Sequence, residues 1–309
     1  MSTVRIRLFG KFSAHLDAQR IEGLEAPTLQ ELFSYLLLYR GRPHARETLA
    51  ALLWGDSPTA TSKKYLRQAL WQLQSALNSH NAPSARHLLV VETDWIHINQ
   101  DAGPWLDVAE FERSYSLVQG VRGREMDEDG ARLLEDAVAL YKGDLLEACY
   151  EDWCIYERER LQNMFLAMLD KLMSYCESHD QYENGLQHGA RILGCDRARE
   201  HTHRRLMRLQ YLAGNRTGAL RQYERCVAAL REELGVKPAK RTTELYEQIR
   251  ADSVDDSLNA LPERQVEAAP SSTSEIVGRL RQIRNVLIDI QREIQKDIHA
   301  VELAIRGRR

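Results

Sequence analysis

One short stretch of the sequence groups side chains that can bind phosphate with side chains that can pair with bases. Between residues 63 and 72 it holds cations, amides and one indole, without a carboxylate: Lys63, Lys64, Arg67, Gln68, Trp71 and Gln72. Lysine and arginine neutralise phosphates, and glutamine can form two hydrogen bonds with the N6 and N7 groups of adenine. These residue types predict a surface that enters the major groove of duplex DNA.

The segment that carries these side chains has the spacing of an amphipathic helix over about residues 62–78. A leucine recurs every three or four residues and predicts a buried stripe, at Leu66, Leu70, Leu73 and Leu77. Thr61 or Ser62 is a candidate N-cap. Two interpretations of the polar face stay open, a DNA-binding surface or an ordinary solvated surface. Trp71 either contacts DNA or completes the core.

The elements around this helix predict a winged helix over residues 1–107. Alternating residues from Val4 to Leu16 predict one or two strands, and apolar spacing predicts helices from Pro27 and over 46–54. Two apolar runs then flank Glu92-Thr-Asp94 and predict a hairpin wing at about residues 87–98. Thr93 and Trp95 at its tip are candidate DNA contacts, whereas Asp94 would repel phosphate.

Residues 108–250 are helical by pattern and contain an internal repeat. The segment from Asp180 to Leu193 matches the segment from Gly214 to Val227 at an offset of 34 residues. That period is typical of tetratricopeptide helix pairs, which bury their apolar faces by stacking. Four arginines of this region surround an anionic effector or form solvated surface, and both interpretations stay open: Arg191, Arg204, Arg205 and Arg208.

The last part of the sequence predicts a linker at 251–275 and an amphipathic dimerisation helix at 276–309. The linker is poor in aromatic residues and contains the runs SVDDS and PSSTS. Two apolar series with seven-residue steps follow it and predict a coiled coil that forms a homodimer. The oligomerisation residues are Ile276, Leu280, Ile283, Leu287, Ile290, Ile294 and Val301.

Composition and motifs favour a globular cytoplasmic protein without catalytic chemistry. The 309 residues carry a formal net charge of −3, and residues 1–100 hold 11 basic against 8 acidic side chains. No secretory signal or membrane-spanning run is present. Phosphate-binding loops, nucleophile elbows and zinc-binding helices are also missing, and His201 and His203 point to different helix faces. We therefore expect no catalytic residue, no metal and no cofactor.

Several motifs, taken in order, make the sequence similar to bacterial activators of the antibiotic-regulatory type. The first half contributes LFGKF, LAALLWGDSPTAT and LRQALWQLQSAL. The second half contributes the run Tyr-Lys-Gly-Asp-Leu-Leu and the run Glu-Glu-Leu-Gly-Val-Lys-Pro. Members of this family join a response-regulator-like winged helix to a bacterial transcriptional activator domain. The resemblance covers about residues 4–250.

The resemblance implies a mainly α protein that binds double-stranded DNA and recruits RNA polymerase. Its fold would be an α+β winged helix, an all-α tetratricopeptide-like repeat domain and a C-terminal coiled-coil helix. Gln72, Gln74 and Ser75 stand where recognition helices of the family usually carry arginine, so the operator sequence does not carry over. The alternative is a protein-interaction scaffold, or an adaptor that senses a small molecule or protein, without direct DNA binding.

Overall fold

The first strands of the chain form a small sheet whose inward side chains alternate with exposed ones. The computed structural model describes residues 3–79 and 83–253. Strands β1 (Val4–Arg7), β2 (Ser13–Leu16) and β3 (Gln19–Arg20) form an antiparallel meander. A later strand, Trp105–Leu106, pairs parallel with β1 on its other edge. The predicted N-terminal sheet is confirmed and gains this strand from beyond the wing.

Three helices follow the meander and bury their apolar faces in one core. They are α1 (Pro27–Leu38), α2 (Arg46–Trp54) and α3 (Thr59–Asn78). The four leucines of α3 are at most 2% exposed, so the predicted buried stripe is confirmed. The predicted N-cap is wrong, because the helix begins after Pro58. The hydroxyl of Ser62 instead donates back to the carbonyl oxygen of Thr59 at 3.1 Å.

A second sheet carries the predicted wing. Strand β4 (His44–Ala45), strand β5 (Leu89–Val91) and strand β6 (Trp95–Ile98) lie in the order β4-β6-β5, all antiparallel. A short helix, α4 (Pro83–Arg86), leads into β5. The hairpin is confirmed, and β4 ties its second strand to the segment between α1 and α2. Strand β7 is the Trp105–Leu106 strand of the first sheet.

A buried carboxylate fastens the first helix of the second half to the opening strand. Asp107 begins α5 (Asp107–Val118) and accepts the backbone N–H groups of Leu8, Phe9 and Val108 at 2.8–3.1 Å. Burial raises the pKa of Asp107 although these hydrogen bonds favour the charged form. The carboxylate satisfies backbone donors that would otherwise be buried without a partner.

The second half of the described chain is a stack of helices. After α5 come α6 (Glu128–Leu140), α7 (Asp152–Ser178), α8 (Tyr182–Cys195), α9 (Glu200–Leu212), α10 (Arg216–Leu234) and α11 (Lys240–Ala251). Helices α8 and α10 begin 34 residues apart, and each packs on α9 between them. The predicted repeat therefore corresponds to successive helix pairs of a tetratricopeptide-like stack.

The helical repeats and the winged helix share buried side chains. Tyr35 of α1 packs edge-to-face on Trp153 of α7, with ring centroids 5.3 Å apart. The Tyr39 hydroxyl donates to Glu157 at 3.0 Å. Phe9 forms an isolated β-bridge with Leu145. Residues Met1–Val254 form one compact unit. The domain boundary between residues 107 and 108 therefore stays a prediction.

The structure corrects the interpretation of the arginine group as an anion site. Arg205 is buried and binds Asp170 at 2.9 Å, and Arg208 pairs with Glu177 at 2.9 Å. Arg191 and Arg204 donate instead to the carbonyl of Val138 and the hydroxyl of Thr242. Each guanidinium thus has its own acceptor, since helix packing brings these acceptors to the arginines.

His203 of α9, one of the two histidines that the sequence places on different helix faces, is buried. His203 is 3% exposed, and its ring nitrogens lie 2.8 Å from the Arg197 carbonyl oxygen and from the Gln222 side chain. Gln222 of α10 covers His203. The pattern of residues within α9 alone does not show this contact. The predicted linker at 251–275 and the dimerisation helix at 276–309 lie outside the described residues, apart from residues 251–253.

Candidate nucleic-acid interface

The exposed side of α3 carries every side chain that the sequence places on a DNA-binding face. All six are exposed: Lys63, Lys64, Arg67, Gln68, Trp71 and Gln72. Trp71 is 68% exposed, so it does not complete the core. The helix itself contains no acidic residue. The face is thus open and free of anionic side chains of its own.

Helix geometry divides this face into a centre and a flank. Each residue advances about 100° around the axis, so Gln68 and Ser75 lie about 10° from the direction opposite the leucine stripe. Trp71 and Gln72 lie about 50° to either side of that direction. Arg67 and Lys63 are about 90° and 130° away, so they lie where a groove-inserted helix meets the phosphates.

The two flanking cations already have partners within the protein. The Lys63 ammonium lies 2.6 Å from Glu47 of α2, an exposed ion pair that holds the pKa of Glu47 below its usual value through a hydrogen bond and charge attraction. The Arg67 Nε–H donates to the Lys63 carbonyl oxygen at 3.4 Å. Exposed pairs of this kind contribute little stability, so phosphate can replace Glu47 at small cost.

The wing tip lies beside the start of α2. Thr93 is exposed and Trp95 is 47% exposed, as a surface contact requires. The backbone N–H of Arg46 donates to the Asp94 carbonyl oxygen at 3.0 Å, and its guanidinium donates to the Glu92 carbonyl oxygen at 3.1 Å. A cation therefore lies at the tip and offsets the charge of Asp94.

Arg46 and Tyr65 are two residues of this surface that sequence reasoning missed. Arg46 reaches the tip only because β4 pairs with β6, a contact between residues about 50 positions apart. Tyr65 is 41% exposed on α3, with its ring centroid 6.3 Å from that of Trp54. The position of Tyr65 next to Lys64, on the exposed side of the helix, could have indicated from the sequence that it belongs to this surface. No local pattern indicates the same for Arg46.

The described residues show no second site of obvious chemistry. Among them no cluster of three or more histidine, cysteine, aspartate or glutamate side chains could hold a metal ion. Within the same ranges no helix has the length and apolar character for crossing a membrane. Four cysteines are buried free thiols and Cys195 is an exposed one. The α3 face and the wing are therefore the features on which a functional assignment rests.

Comparison with known families finds a match over the second half of the described chain. Residues 106–250 match the family model of the bacterial transcriptional activator domain. This range begins within β7 and extends through the helical repeats to the penultimate residue of α11. The resemblance to bacterial transcriptional activators of the antibiotic-regulatory type is confirmed by this match and by the relatives that follow.

One curated relative is the regulatory protein AfsR of Streptomyces coelicolor, which is 23% identical over 290 residues. The alignment covers 92% of this chain and 28% of AfsR, so the chain spans little more than a quarter of that relative. A solved structure of Mycobacterium tuberculosis EmbR, in complex with a low-affinity phosphopeptide, superposes with a TM-score of 0.61 at 16% identity. It covers 84% of this chain and 68% of EmbR, and it shows a shared fold.

Proposed function

We propose that this chain is a sequence-specific DNA-binding transcriptional regulator and that it activates transcription. The observation that carries the proposal is the exposed side of α3, where cations, amides and an indole occur without a carboxylate. A solvated helix surface in a chain with 45 acidic residues would not be expected to exclude them over five turns. The membership of residues 106–250 in an activator domain family supports the direction of regulation.

In this proposal α3 is the recognition helix and the β5–β6 hairpin is the wing. Lys63, Lys64 and Arg67 neutralise phosphates, while Gln68, Trp71 and Gln72 face base edges in the major groove. Thr93 and Trp95 contact the backbone or the minor groove from the wing. Replacing Gln72 with alanine should then relax the preference at one base pair instead of weakening binding to all sequences.

The remaining parts of the proposal concern assembly and partners. The helical repeats bind RNA polymerase, as the family resemblance implies, and they are also the place for a protein or small-molecule effector. Residues 276–309 form a homodimer in the cytoplasm, which lets two winged helices bind neighbouring half-sites. Two linked contacts raise the effective concentration of the second and compensate for the small positive charge of each winged helix.

The test is a gel shift of the purified chain on the DNA upstream of its own gene, with excess non-specific competitor. We expect a specific complex that the double variant Lys64→Ala with Gln68→Ala loses. The matched control is Arg113→Ala with Gln119→Ala, which changes the same residue chemistry on and just after α5. Competition by any duplex at equal strength would contradict sequence specificity.

One observation favours the protein-interaction scaffold as a second candidate. Tyr150, just before α7, and Ile155 and Tyr156 in its first turns are 78%, 45% and 72% exposed, which is unusual for three large side chains so close together. Clustered exposed apolar surface is typical of protein contacts. A chain that binds no duplex, but whose stable association with another protein depends on these residues, would support the scaffold over the DNA-binding regulator.

A further inference from the structure

We infer that the centre of the α3 face selects A·T base pairs, with Gln68 pairing with adenine and Trp71 contacting the 5-methyl group of thymine. The inference rests on the proposed DNA-binding function and names the base pairs that this surface reads. It concerns the middle of the half-site, because Gln68 and Trp71 lie near the middle of the 20-residue helix.

The groups at the centre of this face are open and unengaged. The amides of Gln68 and Gln72 have no hydrogen-bond partner among the residues that the structure describes. The Trp71 ring is 68% exposed and stacks on no other described ring. Tyr65 differs, since its ring lies 6.3 Å from that of Trp54. An exposed indole and two free amides on one helix face are thus available to a ligand that offers both polar edges and an apolar group.

The chemistry of these central groups matches A·T better than G·C. Guanine offers two acceptors in the major groove, which arginine or lysine reads best, whereas adenine offers one donor and one acceptor, which match an amide. Thymine adds a methyl group, the apolar feature of the major groove. Arg67, the arginine of α3, lies on the flank, and its Nε–H is turned back to Lys63. Lys64 lies about 30° from the central direction, but it lies a full turn before Gln68 and therefore toward the end of the half-site.

The first experiment selects binding sites from a random duplex library with the full chain. We expect adjacent A·T pairs at the centre of the selected half-site. The thymines of that centre are then replaced by deoxyuridine, which removes only the 5-methyl group. One methyl group buried against the indole corresponds to a loss of about fourfold in affinity for the unaltered protein. Trp71→Ala should bind both duplexes equally.

Trp95→Ala is the matched control, because Trp95 is a second exposed tryptophan and lies on the wing. That variant should bind more weakly but keep the full deoxyuridine effect. The adenine contact is tested with 7-deazaadenine, which removes the N7 acceptor. The loss of affinity caused by 7-deazaadenine should disappear in Gln68→Ala. Gln68→Arg should shift the selected base at that position from adenine to guanine.

Three outcomes would overturn the inference. A selected centre of G·C pairs is the first, and an equal deoxyuridine penalty in Trp71→Ala and in the unaltered protein is the second. The third is the absence of any penalty in the unaltered protein despite specific binding. In each of these the chain still binds DNA, so the proposed function survives. If the folded chain binds no duplex in the selection, the proposed function fails together with the inference.

Discussion

At the scale of single residues, the ion pair between Lys63 and Glu47 lies on the surface that we propose binds DNA. In the proposed complex Lys63 exchanges a carboxylate at 2.6 Å for a DNA phosphate. The exchange costs little, since both partners are largely exposed and salt screens such pairs. The pair also holds the lysine on the flank of α3 before DNA arrives. Glu47 therefore belongs to the proposed DNA-binding surface although its negative charge would repel phosphate.

The first prediction concerns the salt dependence of binding. Lys63→Ala with Arg67→Ala should weaken binding to all sequences and flatten the plot of log affinity against log salt by about 1.8, or about 0.9 for each lost phosphate contact. Affinities measured between 50 and 200 mM salt, by fluorescence anisotropy, give the slope. Glu47→Gln, which frees Lys63, is the companion variant and should bind slightly more tightly. A slope that the double variant leaves unchanged would refute the phosphate role.

A buried histidine makes the stability of the repeat region sensitive to acid. Both ring nitrogens of His188 are buried without a hydrogen-bond partner among the described residues. Burial first, and the nearby charge of Arg191 second, lower the pKa of His188 from 6.5 to about 4. Between about pH 4 and pH 6.5 the ring of His188 is therefore protonated in the unfolded chain but not in the folded chain. The free energy of unfolding must then fall as the pH falls from 6.5 towards 4.

The second prediction follows from that imbalance. At pH 5 the neutral His188 should cost about 2 kcal/mol of stability relative to pH 7.5, a penalty that His188→Leu removes. Urea unfolding gives the free energy of unfolding of the unaltered protein and of His188→Leu at both pH values. The penalty is the loss between pH 7.5 and pH 5 in the unaltered protein minus the same loss in the variant. Carboxylates and other histidines affect both proteins alike and cancel. An equal loss of stability in the two proteins would show that His188 is protonated in the folded state.

At the scale of elements, close packing of α8 depends on small residues at its buried side. A Cβ atom on Gly189 would lie 2.5 Å from Leu206 Cδ2 of α9 and 2.9 Å from Met173 Cε of α7. The same helix contains Gly194, which is exposed and has nothing within 4 Å of such an atom. The two glycines share an element and differ in what surrounds them.

The third prediction compares these two glycines. Gly189→Ala should destabilise the protein by about 1–3 kcal/mol, because overpacking forces α8 away from its neighbours. Gly194→Ala should stabilise it by about 0.5–1 kcal/mol, since alanine favours helix more than glycine does. Chemical denaturation at pH 7.5 measures both changes. Equal effects of the two substitutions would mean that α8 does not pack as closely as the structure indicates.

At the scale of the whole molecule, the winged helix is attached to the repeats by packing and charge. Arg40, two residues beyond α1, pairs with Glu112 of α5 at 3.2 Å, and Arg160 of α7 pairs with the same carboxylate at 2.6 Å. These contacts accompany the ring contact of Tyr35 with Trp153. Helix α1, on which α3 packs, is therefore held directly against the helices that would contact other proteins.

The fourth prediction concerns dimerisation through residues 276–309. Ile283→Asp with Ile290→Asp should yield monomers in sedimentation, because charges at two core positions of a coiled coil cannot be buried together. The control is Asn285→Asp with Gln291→Asp, which adds the same charge outside the apolar series. Monomers should bind a double half-site more weakly and a single half-site unchanged. If the variant with both isoleucines replaced remains a dimer, the dimer interface lies in the helical repeats instead.

Local patterns were enough to predict most elements and the outline of the candidate site. The leucine stripe of α3, the exposed groups opposite it, the hairpin and the 34-residue repeat all depend on residues within one helix, hairpin or helix pair. Their periodicity follows from backbone geometry, which is the same in any fold. The start of α3 was wrong by about three residues because Ser62 resembles a cap but bonds back to Thr59 instead.

Contacts between distant segments were decided by tertiary packing alone. Glu47 meets Lys63, Arg46 reaches the wing tip, His203 is covered by Gln222, and Arg205 meets Asp170 from another helix. The fourth strand of the first sheet likewise joins residues about 100 positions apart. Such pairings depend on how helices and strands are arranged in space. Hydrophobic periodicity specifies which face of an element is buried, but not which partner covers it.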